Sequence, residues 1–146
     1  YEISACLVGS EMCIRDSYPP EKEMGFGRVY DYMIVPHGTH REVGRISLRM
    51  GESPCVYYFG HIGYHVDPPY RGNHYARRAC ALLRPLIALH GKSSVVITTD
   101  PDNWASRKTC LGLGCTLERT VAVPQEIRDR WEISAVKCRY IWRIDG

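Results

Sequence analysis

The chain has 146 residues, 45% of them hydrophobic and 24% charged, the size and balance of one globular domain with a single core. No apolar run approaches the ~20 residues that cross a bilayer, and the first residues lack the basic, apolar and small-residue order of a secretory signal. A formal net charge of +3, with bases scattered among acids, argues against a nucleic-acid binder but suits a polyanionic small ligand.

Leu7 to Ser17 reads LVGSEMCIRDS and has neither helical nor strand periodicity. It resembles the translation of an adapter used to prepare sequencing libraries. Residues 1–17 are therefore read as non-native and left out of fold reasoning, as any fusion scar would be. Leaving them out removes one base (Arg15) and three acids (Glu2, Glu11, Asp16), which raises the net charge from +3 to +5. Tyr18 to Gly27 (YPPEKEMGFG) is rich in Pro, Gly and charge and reads as a lead-in loop. Residues 28–146 form the one domain.

Val29 to Val35 reads as a strand, ended by Pro36-His37-Gly38, and Arg41 to Met50 alternates polar and apolar residues to close a hairpin. Cys55 to Val66 is aromatic-rich and reads as a third strand, with Gly60 and Gly63 marking a bulge or a close approach of another backbone. Asp67-Pro68-Pro69 stops it. Asn73 to about Leu89 carries Ala76, Ala79, Cys80, Leu83, Leu86 and Ile87 at helical spacing, with Pro85 a kink or break and Gly91 a C-terminal stop. Ser94 to Thr99 is a short apolar strand of the kind buried inside a sheet. Asp100 to Asn103 turns into a helix over Trp104 to Leu113, closed by Gly114. Thr116 to Val123 and Val136 to Ile144 read as strands, with a polar segment between them. The order β-β-β-α-β-α-β-β describes a mixed α/β domain on one sheet.

The seven cysteines contain no Cys-x-x-Cys pair and several lie in apolar runs. They read as small buried hydrophobes in a reducing, cytoplasmic setting, with no metal site and no disulfide framework.

The stretch Val66-Asp67-Pro68-Pro69-Tyr70-Arg71-Gly72-Asn73-His74-Tyr75-Ala76 stands between a strand and a helix. A helix N-terminus offers unpaired N–H donors and partial positive charge, so this junction can bind phosphate without a lysine. Small residues, Gly72 and Ala76, let an anion reach the backbone.

Here the chain resembles the GNAT superfamily of acetyltransferases, whose signature Gln/Arg-x-x-Gly-x-Gly/Ala follows a strand ending in Val-x-Pro. Arg71 and Ala76 match it, while His74 replaces the central glycine. Asn103-Trp104-Ala105-Ser106, with Gly112-Leu113-Gly114 after it, resembles the superfamily's second conserved segment. The resemblance covers roughly Val29 to Ile144. It implies a mixed, mostly antiparallel sheet flanked by helices, with a splayed central strand pair (His61 to Val66 and Val95 to Thr99). The family's first strand and helices, which build much of the acceptor pocket, are expected to be missing.

The resemblance further implies acetyl-CoA as co-substrate. Tyr64, His65 and Val66 would pair with its pantetheine arm through backbone. Arg71, Gly72, Asn73, His74, Tyr75 and Ala76 would take its pyrophosphate, and Asn103 and Ser106 would flank the arm. Asn103 and Ser106 can equally be a helix cap. The implied reaction is direct attack of an amine on the thioester in a ternary complex. The acceptor is a small molecule or a protein N-terminus or lysine, and a second copy of the chain is a further candidate partner. A base must deprotonate the amine; His61, His65, Asp67 and Tyr58 are candidates and none is singled out. Many members carry an acidic tyrosine in the second helix, where this chain has Cys110, so no catalytic residue is assigned. The competing reading is a non-catalytic acyl-CoA-binding module.

Overall fold

The structure, a computed structural model, describes residues 2–6, 12–21 and 25–145. One eight-stranded sheet organises the chain: β1 (Glu2–Cys6), β2 (Met12–Glu21), β3 (Gly27–Ile34), β4 (Gly44–Arg49), β5 (Ile62–Val66), β6 (Ser94–Thr99), β7 (Thr116–Ala122) and β8 (Val136–Arg143). Their spatial order is β1-β2-β3-β4-β5-β6-β8-β7. Every neighbouring pair is antiparallel except β5 and β6, which run parallel. The helices are α1 (Pro54–Phe59), α2 (Tyr75–Leu82), α3 (Arg84–Leu89), α4 (Trp104–Gly112) and α5 (Gln125–Arg130), with a single 3-10 turn at Pro68–Tyr70.

Strand periodicity of two puts one set of side chains on one face. Tyr32 and Ile34, Ile46 and Leu48, Ile62, Val95 and Ile97, and Tyr140 and Trp142 are all buried there, packed with Ala79, Cys80, Leu83 and Ile87 from α2, α3 and the turn between them. Pro85 resolves as a break: α2 ends and α3 restarts, with the proline in its first turn, where a missing N–H costs nothing. The opposite face carries α1, tied down by Thr98 Oγ1 donating to the Tyr58 carbonyl at 3.0 Å and by Arg49 Nη1 donating to the carbonyls of Phe59 (3.2 Å) and Gly60 (3.1 Å).

Two expectations fail here. Cys55 to Phe59 is a helix rather than the first half of a strand. Ser53 Oγ accepts from the Val56 N–H at 3.1 Å and Pro54 opens the helix, so a Ser-Pro start signal outweighs the β preference of the aromatic residues. Gly60 (φ +83°) then ends it. The second failure lies upstream. Met12–Glu21, including Tyr18-Pro19-Pro20, is a strand paired with β3 rather than a segment without strand character followed by a loop. Main-chain pairing is indifferent to side-chain pattern, and the outer edge of β3 offers a template for it. Leu7 to Glu11, the first part of the adapter-like string, lie outside the described residues. Among the described residues no helix precedes β3.

Candidate functional site

β5 and β6 share one register pair, Ile62 with Ile97, and then separate. Just before that pair, His61 N–H donates to the Val96 carbonyl at 2.8 Å and Gly60 bridges Ile97. On its other edge β5 stays paired with β4 through Val66. The bonds from Arg49 N–H to the His61 carbonyl and from Asp67 N–H to the Val43 carbonyl fix the alternation along β5. The main-chain groups of Tyr64 and Val66 thereby face the gap, while those of His65 face β4. Arg71 Nε already donates to the Val66 carbonyl at 2.9 Å, so Tyr64 offers the less encumbered backbone.

Two clefts meet at the gap. One, of about 390 Å³, is lined by Tyr64, His65, Val66, Arg71, Gly72, His74, Tyr75, Ala76, Asn103 and Ser106, ten of the eleven residues expected to hold the co-substrate. Asn73 is the exception: its side chain turns back to donate to the Tyr70 carbonyl at 3.0 Å. The same cleft also holds Arg77, Lys108 and Thr109, which sequence reasoning missed. Arg77 and Lys108 were legible only as ordinary helix-surface cations; that α2 and α4 face one another across the cleft is a tertiary fact. Three cationic side chains, Arg71, Arg77 and Lys108, thus line the cleft.

The junction before α2 has the conformation an anion loop needs. Gly72 has φ +90° and His74 φ +61°, the only non-glycine with positive φ among the described residues. Left-handed backbone at position 74 explains why a glycine suits it; His74 holds it at a cost of roughly 1–2 kcal/mol. No side chain caps α2 and no acid lies in its first turn, so its leading N–H groups remain available to an external acceptor.

The second cleft, of about 360 Å³, is lined by Arg49, Gly63, Thr98, Asp100, Glu132 and Lys137 among others. Lys137 Nζ donates to Asp100 at 2.7 Å, and that contact with the Ser134 hydrogen bond holds the Asp100 carboxyl below its usual range despite partial burial. Arg49 is wedged against Gly63, where a Cβ would stand 2.7 Å from its Nη2, and stacks on Phe26 with 4.8 Å to the ring centre. Burial pulls its pKa down, opposed by Asp31.

Tyr64, Asn103 and Ser106 line both clefts. Asn103 does cap α4, its Oδ1 accepting from the Ser106 N–H at 3.2 Å, and it faces the clefts as well. The Tyr64 hydroxyl lies 2.7 Å from Ser106 Oγ. Cys110 on α4 is wholly buried and lines neither cleft. Of the four base candidates, His65 reaches the first cleft and pairs with Asp67 at 3.4 Å. His61 is buried and fully engaged: Nδ1 accepts from the Val96 N–H (2.9 Å) and Nε2 meets Glu52 at 2.6 Å.

Residues 11–116 match the family described as an acetyltransferase (GNAT) domain. A search of curated proteins finds no match. Among solved structures the fold is similar to the ribosomal-protein-S5-alanine acetyltransferase from Vibrio fischeri (15% identity, TM-score 0.65, covering 99% of this chain and 98% of that one). It is also similar to apo RimL, a ribosomal L7/L12 alpha-N-protein acetyltransferase (20% identity, TM-score 0.60, 81% and 71%). A third is the microcin C7 self-immunity acetyltransferase MccE in complex with acetyl-CoA and AMP (21% identity, TM-score 0.56, 79% and 61%). This chain spans 60% to 71% of the RimL chains it resembles. At these identities the likeness speaks for the fold, and the family match covers most of the sequence: the chain belongs to the GNAT acetyltransferase family.

Proposed function

We propose that the chain binds acetyl-CoA in the cleft between β5, α2 and α4 and transfers the acetyl group to an amine that enters through the second cleft. The observation that carries this is the parting of β5 from β6 directly beside the uncapped start of α2. A pantetheine arm can pair with the main chain of Tyr64 in the gap, while the pyrophosphate meets the leading N–H groups of α2 and the side chains of Arg71, Arg77 and Lys108. The two clefts meet at Tyr64, Asn103 and Ser106, so a thioester carbon there is open to attack from the far side. Positioning of the two reactants is then the main contribution, since a bound near-attack geometry replaces a bimolecular encounter.

The second cleft carries Glu132 beside Arg49 and the Asp100–Lys137 ion pair, polar and charged groups that an amine can meet without a net charge to attract or repel it. Relatives of this fold include enzymes named for the N-termini of ribosomal proteins, which makes a protein N-terminus the first acceptor to try beside small amines and lysine. Such a substrate, with five free buried thiols among the described residues, supports a cytoplasmic location.

Calorimetric titration with acetyl-CoA tests the reading, with Arg71→Glu and Asn103→Ala alongside. Binding weakened on the order of tenfold or more by Arg71→Glu supports it, because a charge-assisted hydrogen bond contributes roughly 1.5–3 kcal/mol. Thiol release on adding peptides with free N-termini, above the rate without them, supports the transfer step. Binding without any amine-dependent thiol release would turn the reading into that of a non-catalytic acyl-CoA module.

A further inference from the structure

Arg49 on β4 is a half-buried cation with no ion-pair partner among the described residues. Its Nη1 donates to the carbonyls of Phe59 (3.2 Å) and Gly60 (3.1 Å) and so ties down the end of α1. A guanidinium carries five N–H donors, and holding α1 uses only those of Nη1. Nε and Nη2 meet no protein acceptor among the described residues. Of the carboxylates, Asp31 alone bears on the charge, through space, and its Oδ1 is taken by the Ser47 hydroxyl. Burial meanwhile pulls the Arg49 pKa down. A cation held partly out of water without a counter-ion gains from one that arrives with a ligand.

The guanidinium is also fixed in place. The rings of Phe26 and Phe59 stand 4.8 Å and 6.0 Å from its central carbon, and 5.7 Å from one another. Its Nη2 sits against Gly63, where any Cβ would come within 2.7 Å. Arg49 and Gly63 both line the second cleft, and so does Tyr64, at which the two clefts meet. Gly63 precedes Tyr64 by one residue, a rise of about 3.3 Å along a strand. The unused edge of Arg49 therefore lies close to the place where an acceptor nitrogen must stand.

Resting on the acetyl-transfer reading, we propose that the acceptor is an amine carrying a carboxylate a few bonds from its nitrogen, and that Arg49 selects it. The two carboxylate oxygens accept from Nε and Nη2, the paired geometry that a planar guanidinium favours. Asp100 and Lys137 satisfy one another at 2.7 Å. Glu132, in the same cleft, has no cationic partner among the described residues. The two charges left over are thus one cation and one anion, which matches an ammonium carboxylate better than a plain amine. The carboxylate belongs either to a small amino acid or to an acidic side chain near the free N-terminus of a peptide; Arg49 reads the same chemistry in both.

Calorimetry on the full chain saturated with coenzyme A tests this without turnover. Two matched pairs serve as probes: 4-aminobutyrate against its amide, and tripeptide amides with glutamate against glutamine at the second position. The acid of at least one pair should bind on the order of 10- to 100-fold more tightly than its uncharged partner. A preference confined to one pair assigns the source of the carboxylate. Arg49→Gln should bring the ratio close to one, and Arg49→Lys should keep a smaller part of it. Gly63→Ala, which displaces Nη2 without touching the charge or the carbonyls, should reduce it as well. Coenzyme A affinity should be unchanged in all three variants. Equal binding of acid and amide in both pairs by the wild type overturns the proposal and leaves acetyl transfer standing. So does binding of no member of either pair, or a preference that survives in Arg49→Gln and Gly63→Ala. If Arg49→Gln fails to fold, the wild-type ratio and Gly63→Ala decide. Absence of coenzyme A binding by the wild type overturns the acetyl-transfer reading itself, and this proposal with it.

Discussion

Nδ1 of His61 accepts a hydrogen bond of 2.9 Å from the backbone N–H of Val96, tying β5 to β6 just below the point where they separate. An acceptor Nδ1 places the ring proton on Nε2, which faces Glu52 at 2.6 Å; Lys92 Nζ meets the same carboxylate oxygen at 2.7 Å. The clamp therefore requires a neutral imidazole. Burial lowers the His61 pKa below its ordinary 6.5, opposed by Glu52 and helped by Lys92 and Arg139. The native state then binds fewer protons than the unfolded one below pH 6.5, so this contribution to stability is full above 6.5 and is lost as pH falls toward the depressed value. Melting temperature should drop on going from neutral pH to mildly acidic pH, and the slope should flatten in His61→Gln. An unchanged slope in the variant would assign the acid sensitivity elsewhere.

The strand and helix order from Val29 onward was legible because its signals are local. Alternation in Arg41 to Met50, the apolar run Ser94 to Thr99 and the Gly114 stop each act within a few residues. Cys55 to Phe59 was misread because two local signals conflict there, aromatic β preference against a Ser53-Pro54 start, and the capping bond decides. In the site, the anion loop could be read from its small residues and position before a helix. Arg77, Lys108 and the Tyr64–Ser106 contact could not, since they depend on how α2, α4 and β5 pack across more than 25 residues of sequence.

His74 occupies left-handed backbone as the residue before α2, where a glycine would carry no steric penalty. His74→Gly removes a cost of roughly 1–2 kcal/mol but adds roughly 0.5–1 kcal/mol of chain entropy to the unfolded state. The net expectation is a gain of about 0.5 kcal/mol, read by denaturant midpoint. Removing the side chain from the cleft wall should also tighten acetyl-CoA binding by calorimetry. A destabilised variant with weaker binding would mean that the imidazole itself contacts the ligand.

Gly60 answers to a different constraint. Its φ is +83°, and a Cβ there would stand 3.0 Å from both Thr98 N and Val96 O, the backbone of β6. Gly60→Ala is expected to cost about 1–3 kcal/mol through strain and to force β5 and β6 apart at the base of the gap. Amide exchange should then accelerate at His61, whose N–H donates to Val96, more than in β3 or β4. Uniformly faster exchange would indicate global destabilisation without a local opening.

Deleting Tyr1–Ser17 separates the adapter-like segment from the site. β1 and most of β2 would go, and they form the edge of the sheet opposite β7. β3 and β4 stand between β2 and the gap, and Tyr32 and Ile34 on β3 are held in the core by packing with the helices' side of the sheet. The gap should therefore survive: affinity for acetyl-CoA is expected to match that of the full chain by calorimetry. The cost should appear at β3 instead, whose outer edge loses its main-chain partners and becomes a template for intermolecular pairing. Light scattering at rising concentration should report more association in the shortened chain. Loss of coenzyme A binding in a monomeric, folded deletion would mean that the first 17 residues support the site directly and belong to the domain.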